Sequence, residues 1–474
     1  MKTKLLAFFT FLLMSSMCHA QMNVLYNFTN GGSPYGALLL SGNVFYGTTY
    51  NGGINNQGSV FSINKDGSGF KDLWDFKDSA SQSNGNANGE YSYSTLVLIG
   101  NRLYGMTYEG GANNEGVIFS VNKNGGGYKD LWDFNSPTGY TPYGSLLLVR
   151  DKFYGLASSG GANNNGCVFS IDTNGTAYTD MYDFSYASGY GPRASLVCSG
   201  KSLFGTTLYG GVAGNGTLFS IDTTGNNYKI KVNFSNSIGD YSYATLILSP
   251  NGTRLFGTAQ DGGGGYGDGA VFGVDTDGTN FKDIVDFNYL DGEEPVQVIL
   301  VGNKLFGMTD YNAPPYEQGN IFSVDTTGAG FNIVHNFEAT DGSYPYWGNS
   351  LIALGDTLYG MVDEGGTQGY GVIFDYINSP SGIDNISSNN AGISVYPNPS
   401  TGKFQLKIDN GQVTMNSAVE VYNMLGEEVY SSTLSTVNST LSIDLGNQAN
   451  GIYFYRLISA EGNMVGEGKL VLQK

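Results

Sequence analysis

Histidine is almost absent from these 474 residues: there are two, His19 and His335. A histidine-dependent triad or a histidine-rich zinc site has too little to be built from. Cysteine is nearly as scarce, with Cys167 and Cys198 the only thiols beyond Cys18 near the N-terminus. Two cysteines make no disulfide framework, and two buried thiols without a bridge are expected. Positive charge is also short, 22 Lys+Arg against 41 Asp+Glu for a net charge of −19. Such a surface repels phosphate backbones, which excludes nucleic acid as a partner. Beyond the N-terminus no stretch approaches the ~18 consecutive apolar residues of a membrane-spanning helix. A sustained 3.6-residue apolar period is missing too, so helices should be nearly absent. The Gly-Gly pairs lead into turns and never precede a helix, so no phosphate-binding loop is present. Asp275-Thr276-Asp277-Gly278 has the start of a calcium loop without the remaining ligands, and reads as a hairpin turn. No cofactor and no metal are expected.

The N-terminus has the layout of a cleavable secretory signal over residues 1–20: Lys2 and Lys4, an apolar run from Leu5 to Met14, then small residues to Ala20. The mature chain then begins at Gln21. Ser15, Ser16 and Met17 before Cys18 do not fit a lipoprotein site, so Cys18 leaves with the leader.

Glycine is abundant at 71 residues, roughly twice its ordinary share of about 7%. An aromatic-Gly pair recurs seven times, at Tyr46-Gly47, Tyr104-Gly105, Tyr154-Gly155, Phe204-Gly205, Phe256-Gly257, Phe306-Gly307 and Tyr359-Gly360. Each is followed by a second marker, from Phe61 to Phe374, and an Asn or Asp before Phe recurs from Phe28 to Phe337. Within a copy, four short strands alternate with turn chemistry such as Gly42-Asn43 and Asp222 to Gly225. Seven four-stranded units predict an all-β, seven-bladed β-propeller over residues 21–377, in preference to a parallel β-helix. The seventh copy lacks a fourth strand, while Asn23 to Phe28 is a lone fourth strand at the other end. Their pairing would close the ring and remove two open edges. A polar linker, 378–392, leads to alternating segments over 393–474 that suit a small Ig-like β-sandwich.

The repeats resemble the GloVer tandem repeat of bacterial surface proteins, through Tyr46-Gly47-Thr48-Thr49, Gly52-Gly53 and Gly58-Ser59-Val60-Phe61-Ser62. A looser likeness to kelch repeats supports the propeller. The C-terminal segment resembles the type A sorting domain of the Bacteroidetes type IX secretion system, through Tyr396-Pro397-Asn398-Pro399-Ser400-Thr401-Gly402, Tyr422-Asn423-Met424-Leu425-Gly426, Gly451-Ile452-Tyr453 and the terminal Lys469 to Lys474. The resemblance implies the outer-membrane translocon and the surface lipopolysaccharide attachment machinery as partners. It also implies secretion or display on the outer cell surface.

No catalytic residue is assigned. His335 falls in the strand slot held by Trp74, Trp132 and Tyr182 in other copies, a packing position. The loops before the first strand and after the second share one propeller face. That face carries Tyr35, Tyr93, Tyr143 and Tyr243, with Arg193 in the equivalent slot of the fourth copy. Before the Gly-Gly pairs it carries Asp261, Asp310, Asp363 and Glu364 from three consecutive copies. Tyrosine rings there could stack on a glycan, and paired carboxylates could serve glycoside hydrolysis or hold a cation. Two function classes follow: a non-catalytic surface binding protein or adhesin, and a secreted carbohydrate-active enzyme.

Overall fold

The computed structural model describes residues 21–29, 32–77, 88–312, 317–346, 351–377, 393–408, 417–423, 428–433, 440–458 and 464–474. The leader, the linker and Gly426 fall outside them. The chain divides into two compact units, Met1–Ser379 and Pro380–Lys474.

The first unit holds seven four-stranded antiparallel sheets. In the third copy the strands are Leu147–Val149, Lys152–Ala157, Cys167–Asp172 and Thr179–Asp183, paired in sequence order. The two middle strands are buried almost throughout, which explains their continuous apolar and small-residue composition. The last is only partly buried and carries Asp180 and Asp183. Among the described residues there is no α-helix, and the one helical turn is the 3-10 segment Ser136–Thr138.

Gly155 lies directly opposite Phe169 on the neighbouring strand, and the same pairing recurs at Gly47 with Phe61 and at Gly360 with Phe374. In all seven copies a Cβ on this glycine would come within 2.8 Å of the phenylalanine Cζ. None of the seven has a positive φ. Close approach of the ring, and no special backbone conformation, therefore demands glycine there.

Each of these phenylalanines also meets the neighbouring sheet. Phe76 packs on Phe119, Phe134 on Phe169, Phe184 on Phe219, Phe234 on Phe272, Phe287 on Phe322 and Phe337 on Phe374, with centroids 5.0 to 5.6 Å apart. Phe28, just after the N-terminal strand, makes the same contact with Phe61 at 5.4 Å. Gln21–Asn27 is hydrogen-bonded along Val372–Ile377, with Asn23 Nδ2 donating to Asp375 Oδ1 at 2.8 Å. The lone strand thus completes the seventh sheet. One apolar cluster then joins that sheet to the first through Phe28, Tyr359 and Ile373 against Leu38, Phe45 and Phe61.

The acidic or amide residue before the third marker fixes the Gly-Gly loop. Asp133 Oδ1 accepts from the Ala112 amide and Asp183 Oδ1 from that of Ala162, both at 2.6 Å, while Asn27 Oδ1 accepts from Thr367 at 2.8 Å. The phenylalanine amide then donates to the glycine carbonyl that ends the loop, as Phe134 does to Gly116 and Phe28 to Gly371, each at 3.0 Å.

Two expectations need correction. Both cysteines are free, but only Cys167 is buried; Cys198 is part-exposed, on the strand Val197–Ser199, which is only partly covered along its whole length. Tyr35 does not precede its strand, since Pro34–Ser41 pairs with Thr48 and Thr49 and so begins earlier than in most copies. His335 sits opposite Ile321, as Trp74 sits opposite Val60, and its Nε2 lies 3.0 Å from Asp341 Oδ2.

The second unit packs a three-stranded and a four-stranded antiparallel sheet around one core that includes Phe404, Ile443, Val421, Tyr455 and Leu470.

If ring-to-backbone contact sets the sheet geometry, Gly155→Ala should cost about 1–3 kcal/mol through overpacking, and adding Phe169→Leu should restore part of it. Urea denaturation of the three proteins measures this. An unchanged midpoint for Gly155→Ala would mean that the strands can part without cost.

Candidate functional site

In six copies the residue two positions before the tyrosine slot has positive φ: Tyr91, Thr141, Gly191, Tyr241, Glu294 and Tyr344. Its amide donates to a carbonyl in the Gly-Gly loop of the preceding copy, as Thr141 does to Glu115 and Tyr241 to Asn215. Neighbouring copies are thereby stitched together on one face. The next side chain but one is delivered inward.

There the rings form a continuous arc. Tyr35 and Tyr93 lie 5.0 Å apart and Tyr93 and Tyr143 5.1 Å apart, with Tyr50 and Tyr108 filling in behind at 4.9 Å from Tyr93 and 4.8 Å from Tyr143. The Arg193 guanidinium follows, 4.5 Å from the Tyr143 centroid and 5.4 Å from that of Tyr243. A cation held between two aromatic rings is favourable electrostatically.

These groups wall a cavity of about 240 Å³ to which six copies contribute, from Ala37 of the first to Gln297 of the sixth. Its inner wall is a belt of hydroxyls. The Ala37 amide donates to Thr95 Oγ1, Thr95 to Ser145 Oγ and Ser145 to Ser195 Oγ, each at 2.8 Å, and Ser195 to Thr245 Oγ1 at 3.1 Å.

Carboxyl groups occupy the remaining copies. Asp363 Oδ2 accepts from the Tyr35 hydroxyl at 3.2 Å, and Asp363 and Asp310 are both buried. Burial, reinforced by Glu294, Asp363 and Glu364, pushes the Asp310 carboxyl up to about 8. Burial also raises Asp363 to about 8, against the opposing hydrogen bond from Tyr35. Asp261 is raised by burial alone. The hairpin turns behave oppositely: hydrogen bonds from Thr224, Asn226 and Asn227 hold Asp222 well below the usual carboxylate range. The same residue type is thus stabilised as an anion in the turns and as an acid on the face.

The structure therefore brings Tyr93, Tyr143, Arg193 and Tyr243 to one cavity, with Tyr35 stacked behind them. Asp363 raises Asp310, whereas Asp261 raises Asp240 and Glu294. Glu364 is exposed. Sequence reasoning missed Tyr346, whose ring lies 6.1 Å from Tyr35, and Glu294, to which the Gln260 side chain donates. Pro345-Tyr346 matching Pro34-Tyr35 was the available signal for the first. The 50-residue spacing of Thr95, Ser145, Ser195 and Thr245 was the signal for the hydroxyl belt. Among the described residues no acidic, histidine or cysteine group has the arrangement of a metal site, and no helix is long and apolar enough to cross a membrane.

In the second unit, motifs distant in sequence meet. Exposed Asn398 donates through Nδ2 to the Lys469 carbonyl at 2.7 Å and accepts from the Val471 amide at 2.8 Å. Pro397 and Pro399 flank it, exposed, as is Lys469. Lys474 Nζ donates to the carbonyls of Gly446 and Gln448, and buried Tyr453 donates to that of Ala449. Gly402 has φ +151° and its missing Cβ leaves room for Gly446 at 3.0 Å, whereas a Cβ on Gly451 would meet nothing.

No curated protein sequence matches the chain. Among solved structures, PorZ, an essential bacterial surface component of the type-IX secretion system of Porphyromonas gingivalis, is similar at 13% identity and a TM-score of 0.46, over 94% of this chain and 60% of its own. The chain thus spans about three fifths of PorZ. An oligogalacturonate lyase in complex with manganese is similar at 9% identity and a TM-score of 0.50, over 76% of this chain and 94% of its own. That likeness bears on fold alone. Residues 394–473 match the secretion system C-terminal sorting domain, which implies export with cell-surface attachment or release. Residues 10–203, 144–311 and 194–374 match the Gloeobacter/Verrucomicrobia repeat, and with most of its length so covered the chain belongs to that repeat family.

Proposed function

We propose that this is a surface binding protein, exported by the type IX system, attached to surface lipopolysaccharide, and binding a glycan on the tyrosine-rich face of a closed seven-bladed propeller. The cavity carries this reading: six copies of a near-symmetric repeat supply one concavity, and Arg193 between Tyr143 and Tyr243 breaks the symmetry. A single site in a repeated ring requires such a break. Aromatic faces with a few directed polar groups are the usual composition of a small-ligand site. Closure of the ring is supported by the N-terminal strand on the seventh sheet and by the Phe28 contact with Phe61.

Deleting residues 393–474 should leave the repeat unit in the periplasm, as read by cell fractionation and surface proteolysis. Normal surface amounts of the truncated protein would refute the export reading. For the ligand, a glycan array probed with the full chain should give hits that Tyr143→Ala weakens by roughly tenfold or more, in line with losing a buried aromatic contact. Hits indifferent to Tyr143→Ala but lost on altering the Asp222 to Gly225 turn would place binding on the other face.

A second reading, glycoside hydrolysis, is favoured by one observation: Asp310 is 2% exposed, its Oδ1 has no hydrogen-bond partner, and it is held as an acid. A carboxyl protonated at neutral pH is what a general acid needs. Because its folded value lies near 8 and an unfolded aspartate titrates near ~3.9, the folded state holds the proton more tightly. Its stabilising contribution is complete below about pH 4 and is lost as pH rises toward 8. Asp310→Asn should therefore gain melting temperature relative to the native protein between about pH 5 and pH 8.5. A constant difference across that range would show that Asp310 is an ordinary ionised carboxylate, and the hydrolytic reading would go with it.

A further inference from the structure

The fourth copy departs from the others along one line. In five copies the same antiparallel bridge joins the loop after the fourth strand of one sheet to the loop before the next Gly-Gly pair. In four of them the bridged residues are Glu90 and Glu109, Tyr140 and Ser159, Asp240 and Asp261, and Ser343 and Glu364. In the fourth copy both are tyrosines, Tyr190 and Tyr209.

Their rings lie 5.2 Å apart, 30° from parallel. Tyr190 stacks at 5.8 Å on Tyr186, which is 64% exposed and stands where the flanking copies have Ser136 and Asn236. At the inner end Tyr209 meets Tyr241 edge-on at 5.5 Å, and Tyr243 follows two residues later in the cavity wall. Arg193 is three residues beyond Tyr190. A ladder of rings thus runs outward from the one copy that puts a cation in the cavity.

Both departures point to the same class of ligand. A guanidinium with its planar fork recognises a carboxylate bidentately. Tyr186, exposed at the outer end of the ladder, with half-buried Tyr190 and Tyr209 leading in from it, offers aromatic surface on which pyranose rings can pack. Outward paths through the second and fifth copies end at pairs of carboxyl groups, which would repel an acidic chain or leave it unpaired. We infer that the ligand is an oligosaccharide bearing a carboxylate, its acidic sugar in the cavity at Arg193 and its following sugars laid outward over Tyr209, Tyr190 and Tyr186. This rests on the binding reading above and adds charge, length and direction to it.

The test is calorimetric titration of the full chain with uronic-acid mono-, di- and trisaccharides, their neutral counterparts, and a trisaccharide ending in sialic acid. Affinity for the acidic series should rise roughly fivefold per added sugar. Tyr186→Ser and Tyr190→Ser should remove that gain while leaving monosaccharide affinity unchanged. Arg193→Gln should weaken the acidic ligands by roughly tenfold or more and spare the neutral ones. Whichever of the uronate and sialyl arms responds to Arg193→Gln identifies the source of the carboxylate. If affinity is independent of length and charge while Tyr143→Ala still abolishes binding, the ladder is not a subsite and only this inference falls. If no saccharide binds, the binding reading falls as well.

Discussion

Each of the seven sheets is organised around one phenylalanine whose ring tip closes on a glycine of its own sheet and whose ring packs on a phenylalanine of the preceding sheet. The first contact brings the two middle strands together over a position where even a methyl group would collide. The second sets the distance between sheets. Both involve the same ring, so sheet geometry and sheet spacing are coupled. Any one copy that relaxed its glycine would move its phenylalanine and thereby its neighbour. Repeat proteins in which each unit touches only the next owe their regularity to such nearest-neighbour terms.

The loops are under a different constraint. Their bases are tied by the Asp or Asn clamp and by the amide of the third-marker phenylalanine, so the backbone path is similar from copy to copy. Side chains beyond the clamps do no such work and are free to differ. That is where Arg193 replaces a tyrosine and where carboxyl groups accumulate in the last three copies. The outcome is a face divided into an aromatic arc, a single cation and an acidic arc, built on a scaffold that is close to uniform.

The scaffold was legible because its rules are local. Aromatic-Gly, the second phenylalanine and the Asn/Asp-Phe pair each answer a contact made in every copy, so repetition exposes them. The face on which the copies differ was legible for the same reason, as departures from a repeated slot. What could not be read was burial. Asp310 and Asp261 look alike in sequence, yet Asp310 sits among Glu294, Asp363 and Glu364 and lost nearly all its solvent, while Asp261 did not. Cys198 looks as apolar as Cys167, yet it lies on a partly covered first strand and Cys167 on a buried third one. These differences depend on which loops meet across copies, which spacing along the chain does not encode.

The acidic arc and Arg193 also bear on one another. In a chain with net charge −19, ionised carboxylates on the face would repel any acidic ligand and draw Arg193 toward themselves. Burial instead favours the neutral acid at Asp310 and Asp363, which lowers the charge of that arc at neutral pH. Meanwhile Arg193 stays between two rings, where its favourable contacts do not require a carboxylate. Stacking on Tyr143 and Tyr243 thus holds the guanidinium at the cavity wall. The anion-binding role proposed for Arg193 would draw on both halves of the face, on stacking that places the cation and on burial that lowers the charge opposite it.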